Sequence, residues 1–454
     1  MTIMKKQFKC FWLILVALTL SAGDVHALNG SWRGELDLGQ MKIPLVFNFS
    51  EMPSGETRCT LDSPSQGAKG IATEMVLCTA DTLSLTCNAI GAVYTGRITS
   101  GIIKGQFKQR GYVFPLDLAP DCPLQERRPQ TPRPPFPYNV VDTMFTAPDG
   151  AVMSATLTLP ACGQSRKIPA VVMVTGSGPQ NRDEELFEHK PFAVIADYLA
   201  RHGIASLRYD DRGTGRSTGN FLTATTFTLK DDALGGVGFL RSIACIGKVG
   251  VLGHSEGGTI AFMIGAEGKA DFILSLAGMA LSGKETSMRQ NRHGLDKLKL
   301  TDSDKANSLK LIGRLFDMII EQARKGVSTP IDIDSLATAD NMTVPQQIVQ
   351  SIKMTQNTRG PWFDAFLALN PRSYLEKVKC PMLAVNGEKD MQVCPDNLNV
   401  IKELVPHVRA RLMPGLNHLM QHAVTGEMTE YGKIRETIAP EVLDMMVEFI
   451  KECD

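Results

Sequence analysis

The chain has no excess charge of either sign: 48 Lys and Arg are balanced by 48 Asp and Glu across 454 residues. It also has no strongly basic stretch. Nucleic acid is therefore not an expected partner, because its binding rests on many Lys and Arg contacts to phosphate. The ten cysteines include no CxxC pair and no other metal-ligand spacing, so no metal site is expected. Long apolar runs are missing too. The N-terminal run Cys10 to Leu20 is about half of the ~20 residues that a membrane-spanning helix needs.

That run is flanked by Lys5, Lys6 and Lys9 before it and by Val25 and Ala27 after it. These are the three parts of a secretory signal with a small-residue cleavage site, so residues 1–27 read as a signal peptide. Cys10 opens the run instead of closing it, which argues against a lipoprotein anchor or any stable membrane anchor. The expectation is an exported protein, periplasmic or secreted. Nine cysteines remain after cleavage. An odd number leaves one unpaired, and Cys59, Cys78, Cys87 and Cys122 are candidates for one or two bridges in an oxidising compartment. Cys380, beside the apolar "PMLAV", reads as a small core residue.

From 29 to 118 the pattern alternates in short runs such as "WRGELDL", "TLSLTC" and "YVFPLDL". This predicts antiparallel strands in a small β sandwich or barrel. Residues 119–137, "APDCPLQERRPQTPRPPFP", read as an extended proline-rich linker. From 138 to 454 a hairpin is followed by continuous apolar strands alternating with helical patterns, as in a mostly parallel sheet covered on both faces. One stretch, about 281–378, is helical without a convincing core strand, and reads as a cap inserted over the mouth of the site. Met288, Trp362, Phe363 and Phe366 within it are candidates to line an apolar acyl pocket, or to pack the cap internally.

The stretch "VGVLGHSEGGTI" places Ser255 in a G-x-S-x-G pentapeptide between an apolar strand and a helix. The pentapeptide alone is a weak signal. Its strand-turn-helix context is that of a nucleophile elbow, where flanking glycines relieve the crowding of a strained turn. A serine hydroxyl needs a base to take its proton, and the base needs an orienting carboxylate. On this fold they follow in the order acid, then histidine. Asp390 follows "MLAVNGEK" and His418 follows "ARLMPGLN", both in loops leaving strand C-termini. Glu388 or Asp396 could replace Asp390, and His422 could replace His418. His254, inside the elbow, and His189, before a helix start, are less attractive. The oxyanion of the tetrahedral intermediate needs donors, expected from the backbone N–H of Glu256 and from Ser177 or Gly178 in "TGSGPQNRDE".

The glycine-rich "RYDDRGTGRSTG" misses the dinucleotide spacing, and no helix follows at once, so no cofactor is expected. Arg182, Asp183, Asp210 and Arg212 are expected to form a buried charge network shaping the loops around the site.

Taken together, "GSGPQNRDE", "HKPFAVIADYLARHGIASLRYDDRGTGRSTG", "GHSEGG", "NGEKDMQV" and "GLNHLMQ" resemble the α/β-hydrolase family, in particular its esterase D-like branch, related to serine aminopeptidase-like hydrolases and to bile-acid acyltransferase relatives. The likeness covers about 138–452, and the front β domain with its linker resembles exported bacterial members. The resemblance implies carboxylic-ester hydrolysis with Ser255 as nucleophile, Asp390 as acid and His418 as base, acting on a small-molecule ester. The chain departs from many relatives in having Thr175-Gly176 where they have His-Gly at the oxyanion loop. A peptidase or amidase, or an acyltransferase, would use the same triad. A noncatalytic envelope or glycan binder is the alternative of another class, and an oligomer is compatible with all of these.

Overall fold

The computed structural model describes residues 28–454 apart from 39–41, 53, 55, 67, 80, 100, 122–126, 162–166, 340, 341 and 358. Residues 1–27, which the sequence pattern reads as a signal peptide, and Cys122 thus lie outside the described residues. Two compact units are present, one made by 28–64 with 68–121 and the other by 127–454.

In the first unit the alternating runs form two five-stranded antiparallel sheets. One contains β1 (Gly30–Asp37), β2 (Lys42–Glu51), β3 (Thr57–Ser63) and β4 (Ala68–Ala72). The other contains β5 (Glu74–Cys78), β6 (Thr82–Cys87), β7 (Ala92–Thr99), β8 (Ile102–Gln109) and β9 (Tyr112–Pro115). A short β10 (Ala119–Pro120) joins the first sheet beside β1, so the unit extends into the proline-rich stretch that the sequence assigned to the linker. An edge position suits a proline, which has no N–H to give the ladder. Inward-facing residues of both sheets, including Phe47, Leu61, Leu85 and Tyr94, share one core. Tyr94 fills its centre because Gly105 leaves the room: a Cβ there would lie 2.3 Å from the phenolic oxygen. Cys59, Cys78 and Cys87 are unpaired.

The second unit is built on an eight-stranded sheet ordered β11-β12-β14-β13-β15-β16-β17-β18. These strands are β11 (Asn139–Thr146), β12 (Val152–Leu159), β13 (Ile168–Val174), β14 (Ala205–Tyr209), β15 (Ile246–His254), β16 (Ile273–Leu276), β17 (Met382–Gly387) and β18 (Arg409–Met413). The hairpin β11-β12 and its junction with β14 are antiparallel, and the remaining pairings are parallel. β13 and β17 are buried along their whole length, as the continuous apolar runs require. Helices α1 (Pro191–Arg201), α2 (Thr226–Arg241) and α3 (Glu256–Ala266) follow β13, β14 and β15 in chain order. α1 starts on Pro191, and Gly203 at φ 86° turns the chain just after its end. Two apolar layers, one on each face of the sheet, form the core.

Between β16 and β17 lie α4 (Gly283–Asp296), α5 (Asp302–Arg324), α6 (Ile333–Thr338), α7 (Gln346–Asn357), α8 (Pro361–Ala368) and α9 (Arg372–Leu375). Ser282 with Glu285, and Thr301 with Asp304, form capping boxes that start α4 and α5. α4 to α8 bury their own cluster, including Leu311, Phe316, Ile319 and Ile352. α9 instead sends Leu375 into the core of the main sheet. After β17 come α10 (Asp396–Leu404), α11 (Met428–Tyr431) and α12 (Pro440–Cys453).

The proline-rich stretch is not a free connector throughout. The Arg128 side chain is 1% exposed. Its guanidinium donates to the carbonyls of Phe187 (2.7 Å), Gly432 (2.9 Å) and Ile434 (3.1 Å). Gln130 donates to the Ile438 carbonyl and accepts from its N–H. Composition alone predicts an extended chain here; the buried hydrogen-bond partners decide otherwise.

Candidate active site

The strand order places the ends of β13, β15, β17 and β18 along one rim, and the chemistry gathers there. Ser255 follows β15 with φ 53° and ψ −118° and sits at the N-cap of α3. A non-glycine residue at that φ is strained, and the turn closes only because its neighbours lack side chains. A Cβ on Gly253 would fall 1.9 Å from the Gly257 carbonyl oxygen, and one on Gly257 would fall 2.1 Å from that of Val174.

Asp390 leaves β17 and His418 leaves β18. His418 Nδ1 lies 2.8 Å from Asp390 Oδ2. Asp390 Oδ1 accepts the backbone N–H groups of Gln392 (2.9 Å) and Val393 (2.8 Å), which fix the carboxylate. His418 Nε2 and the Ser255 hydroxyl make no hydrogen bond to each other or to any other described residue, and both residues border the same cleft. Such contacts are often long without substrate and tighten when it binds. The other candidates lie elsewhere. Glu388 accepts the Gly415 N–H, Asp396 pairs with Arg289, and exposed His422 pairs with Glu436 and Glu441.

Gly176, after β13, lies against the elbow: a Cβ there would be 3.2 Å from that of Ser255. Its N–H is taken by Glu184 Oε1 at 2.7 Å. The backbone N–H groups of Ser177 and Gly178 have no acceptor among the described residues, nor does that of Glu256, at the first position of α3, where no intrahelical partner exists. The Ser177 hydroxyl donates to Glu256 Oε2 (2.8 Å), drawing the oxyanion loop onto the elbow.

Two groups at the site escape the sequence reading. His254 is buried and its ring centroid lies 4.7 Å from that of His418. Its Nδ1 is 2.9 Å from Glu184 Oε1, and its Nε2 is 3.0 Å from the His418 backbone carbonyl. Burial disfavours its charge, but the Glu184 carboxylate outweighs burial and holds His254 above the ordinary histidine range. The second group is the side chain of Glu256, fully buried, accepting from Thr226 Oγ1 (2.6 Å) and Trp362 Nε1 (3.0 Å) as well as Ser177. Burial raises its pKa against the pull of these bonds. A charged residue directly after Ser255, and the "NRDE" run in the loop after β13, are the signals the sequence holds for these two groups.

The cleft over Ser255 encloses about 300 Å³. Trp362, Phe363 and Phe366 line it, with Met279, Val393 and Leu419. Met288 does not. On α4, Ser287 and Gln290 face the cleft at i, i+3 spacing, and this turns Met288 towards the cap's own core. The expected charge network is divided into three groups, centred on Arg182, Asp183 and Arg212. Arg182 binds Asp210 (2.8 Å), Asp183 pairs with Arg208 and Lys190, and Arg212 binds Asp232 (2.5 Å) and Asp149 (2.9 Å). Asp211, unforeseen, accepts the Gln180 N–H (2.9 Å) and the Thr175 hydroxyl (3.0 Å) at the base of the oxyanion loop. Burial raises its pKa well above the carboxylate range. Among the described residues no helix is long and apolar enough to cross a membrane, and no cluster of metal-ligating side chains occurs.

Residues 149–419 match the family model for X-Pro dipeptidyl-peptidase (S15 family). The chain is 28% identical over 306 residues to "Esterase EstD" of Thermotoga maritima, a match covering 63% of each of the two chains. Among solved structures it is similar to the Pyrococcus furiosus esterase Pf2001, with 15% identity, TM-score 0.43, and 69% of this chain and 91% of that one covered. It is also similar to the α/β hydrolase GrgF of Penicillium sp. sh18, with 17% identity, TM-score 0.44, and 69% and 98% covered.

Proposed function

The chain belongs to the X-Pro dipeptidyl-peptidase (S15) family of α/β hydrolases, and from that premise we propose that it cleaves carboxylic esters of short to medium acyl chain through Ser255, His418 and Asp390. The observation that carries this reading is the 2.8 Å bond from His418 Nδ1 to Asp390, which leaves Nε2 unpartnered at the cleft that Ser255 borders. With Nδ1–H fixed on the carboxylate, Nε2 is the basic nitrogen.

His418 Nε2 takes the proton of Ser255 as Oγ attacks the ester carbonyl. The oxyanion meets the N–H of Glu256 and that of Ser177 or Gly178, donors without acceptors among the described residues. His418 returns the proton to the leaving alcohol, then activates water to release the acid. Asp390 holds the imidazole in its working tautomer. The aromatic wall of Trp362 and Phe366 receives the apolar part of the substrate.

Ser255→Ala is the test: ester turnover and labelling by a fluorophosphonate probe should both vanish, and near-normal turnover would sink the assignment. The family name favours a second reading, peptide or amide hydrolysis on the same triad. A comparison of kcat/KM on an alkyl ester and on the matching aminoacyl amide separates the two, and added alcohol or amine acceptors reveal acyl transfer. We also propose that residues 1–27 direct export. Mass determination of the mature N-terminus checks that proposal.

A further inference from the structure

The cleft is lined by glutamine amides whose oxygens are open while one N–H of each is already used inside the protein. Gln180 Nε2 donates to the Ser177 carbonyl (3.3 Å) and Gln290 Nε2 to the Gln392 carbonyl (3.0 Å). A carbonyl can only accept, so each of these amides is fixed with its nitrogen on the protein and its Oε1 left over. Gln392 donates its Nε2 to the Tyr431 hydroxyl (3.1 Å). None of the three Oε1 atoms has a partner among the described residues, and all three glutamines border the cleft. Glu184 Oε2, at the same cleft, is buried and unpartnered as well. The donors on this wall are the hydroxyls of Ser255 and Ser287 and the second N–H of each glutamine amide.

Charge narrows the choice further. Neither lysine nor arginine lines the cleft, so an anionic substrate group would find neither of these counter-charges there. Glu184 is the acidic side chain on the wall, and His254 already answers it at 2.9 Å. An ammonium group would give up its hydration here without a free counter-charge. A neutral O–H gives the open acceptors what they lack at a smaller desolvation cost.

We infer that the enzyme prefers esters carrying uncharged hydroxyl groups, read by the free Oε1 atoms of Gln180, Gln290 and Gln392, over alkyl esters of the same size. The inference rests on the ester-hydrolase reading of the cleft and adds the substrate class to it.

The test uses the full chain carrying Ser255→Ala, so that binding is measured apart from chemistry. Methyl 6-hydroxyhexanoate is compared by calorimetry with methyl heptanoate and with methyl 6-aminohexanoate as its ammonium form. 2,3-Dihydroxypropyl butanoate is compared with pentyl butanoate, so that both halves of the ester are sampled. In at least one half the hydroxylated ester should bind about 10-fold more tightly than its alkyl match and more tightly than the ammonium compound. Gln290→Leu and Gln392→Leu should bring that ratio towards one. Equal or tighter binding of the alkyl esters in both halves, tightest binding of the ammonium ester, or a ratio unmoved by both substitutions would overturn the inference. Undiminished hydrolysis by the Ser255→Ala protein would instead count against the reading of the triad.

Discussion

His254 Nδ1 lies 2.9 Å from Glu184 Oε1 while its Nε2 lies 3.0 Å from the His418 carbonyl. A carbonyl only accepts, so Nε2 carries a proton, while Nδ1 faces the Glu184 carboxyl, whose pull holds His254 above the ordinary histidine range. On taking up a second proton the elbow histidine becomes an imidazolium paired with Glu184, beside the His418–Asp390 pair. Glu184 also accepts the Gly176 N–H. One buried pair therefore ties together the oxyanion loop, the elbow and the backbone of the base.

Glu184→Gln removes the negative partner that favours the charged form of His254; Oε1 takes both Nδ1 and the Gly176 N–H, so an amide group at that position can serve only one of them once His254 is neutral. The stability effect has a defined sign. His254 is raised in the folded state, so its contribution is full below the unfolded histidine pKa and is lost as pH rises through the folded value. The melting difference between wild type and Glu184→Gln should be largest near pH 6 and shrink towards alkaline pH. An identical difference from pH 6 to 9 would refute the imidazolium.

Asp390→Asn removes the charge that orients His418 yet keeps the shape. The amide would also place an N–H against one of the donors now bound to the carboxylate, the Gln392 and Val393 N–H groups or the imidazole. A fall in kcat of about 10⁴ is expected by analogy with such triads, with KM for the ester little changed. Burst and steady-state kinetics on one ester provide the measurement.

How much of this was legible in the sequence follows from the range of each signal. The elbow, the strands and the order Ser255, Asp390, His418 are local patterns, each set by a few consecutive residues, and parallel connection brings their strand ends to one rim. The orientation of Met288 is not local, because a helix presents several faces and only packing selects which one meets the cleft. The Glu184–His254 pair joins residues 70 positions apart, and Arg128 reaches carbonyls about 300 positions away. Backbone acceptors of that kind leave no mark on composition, so a docked strap reads as a linker.

Arg128→Ala should destabilise the second unit and not merely loosen its N-terminal end. The carbonyls of Phe187, Gly432 and Ile434 would lose their donor beneath the surface, at a cost of about 3 kcal/mol. For a unit of this size that is a melting shift of roughly 4–5 °C. Phe187 and Glu188 both hold positive φ, at 51° and 66°, so the loop that also carries Glu184 should be the first to relax. Thermal unfolding followed by circular dichroism, with proteolysis mapping of residues 181–190, checks both parts.

Glu256 links the cap to the oxyanion loop, for its two oxygens accept from Trp362 on α8, Thr226 at the start of α2 and Ser177. Glu256→Gln exchanges one acceptor for an amide N–H₂, so the Ser177 or the Thr226 hydroxyl must turn from donor to acceptor to keep its bond, while Trp362 Nε1–H keeps one oxygen. Where Ser177 turns, its tie to the loop after β13 weakens and kcat should fall by up to about 10-fold with KM nearly constant, since the weakened bond supports the transition state more than the ground state. Trp362→Phe is the complementary change. It removes Nε1–H while retaining a ring beside Phe366, and leaves Ser177 bound to Glu256, so the cap loosens but the donors stay aimed. KM should then rise several-fold with a smaller change in kcat. Parallel steady-state curves for the two variants on one ester decide the matter: if both move kcat and KM alike, Glu256 does not separate oxyanion geometry from cap closure.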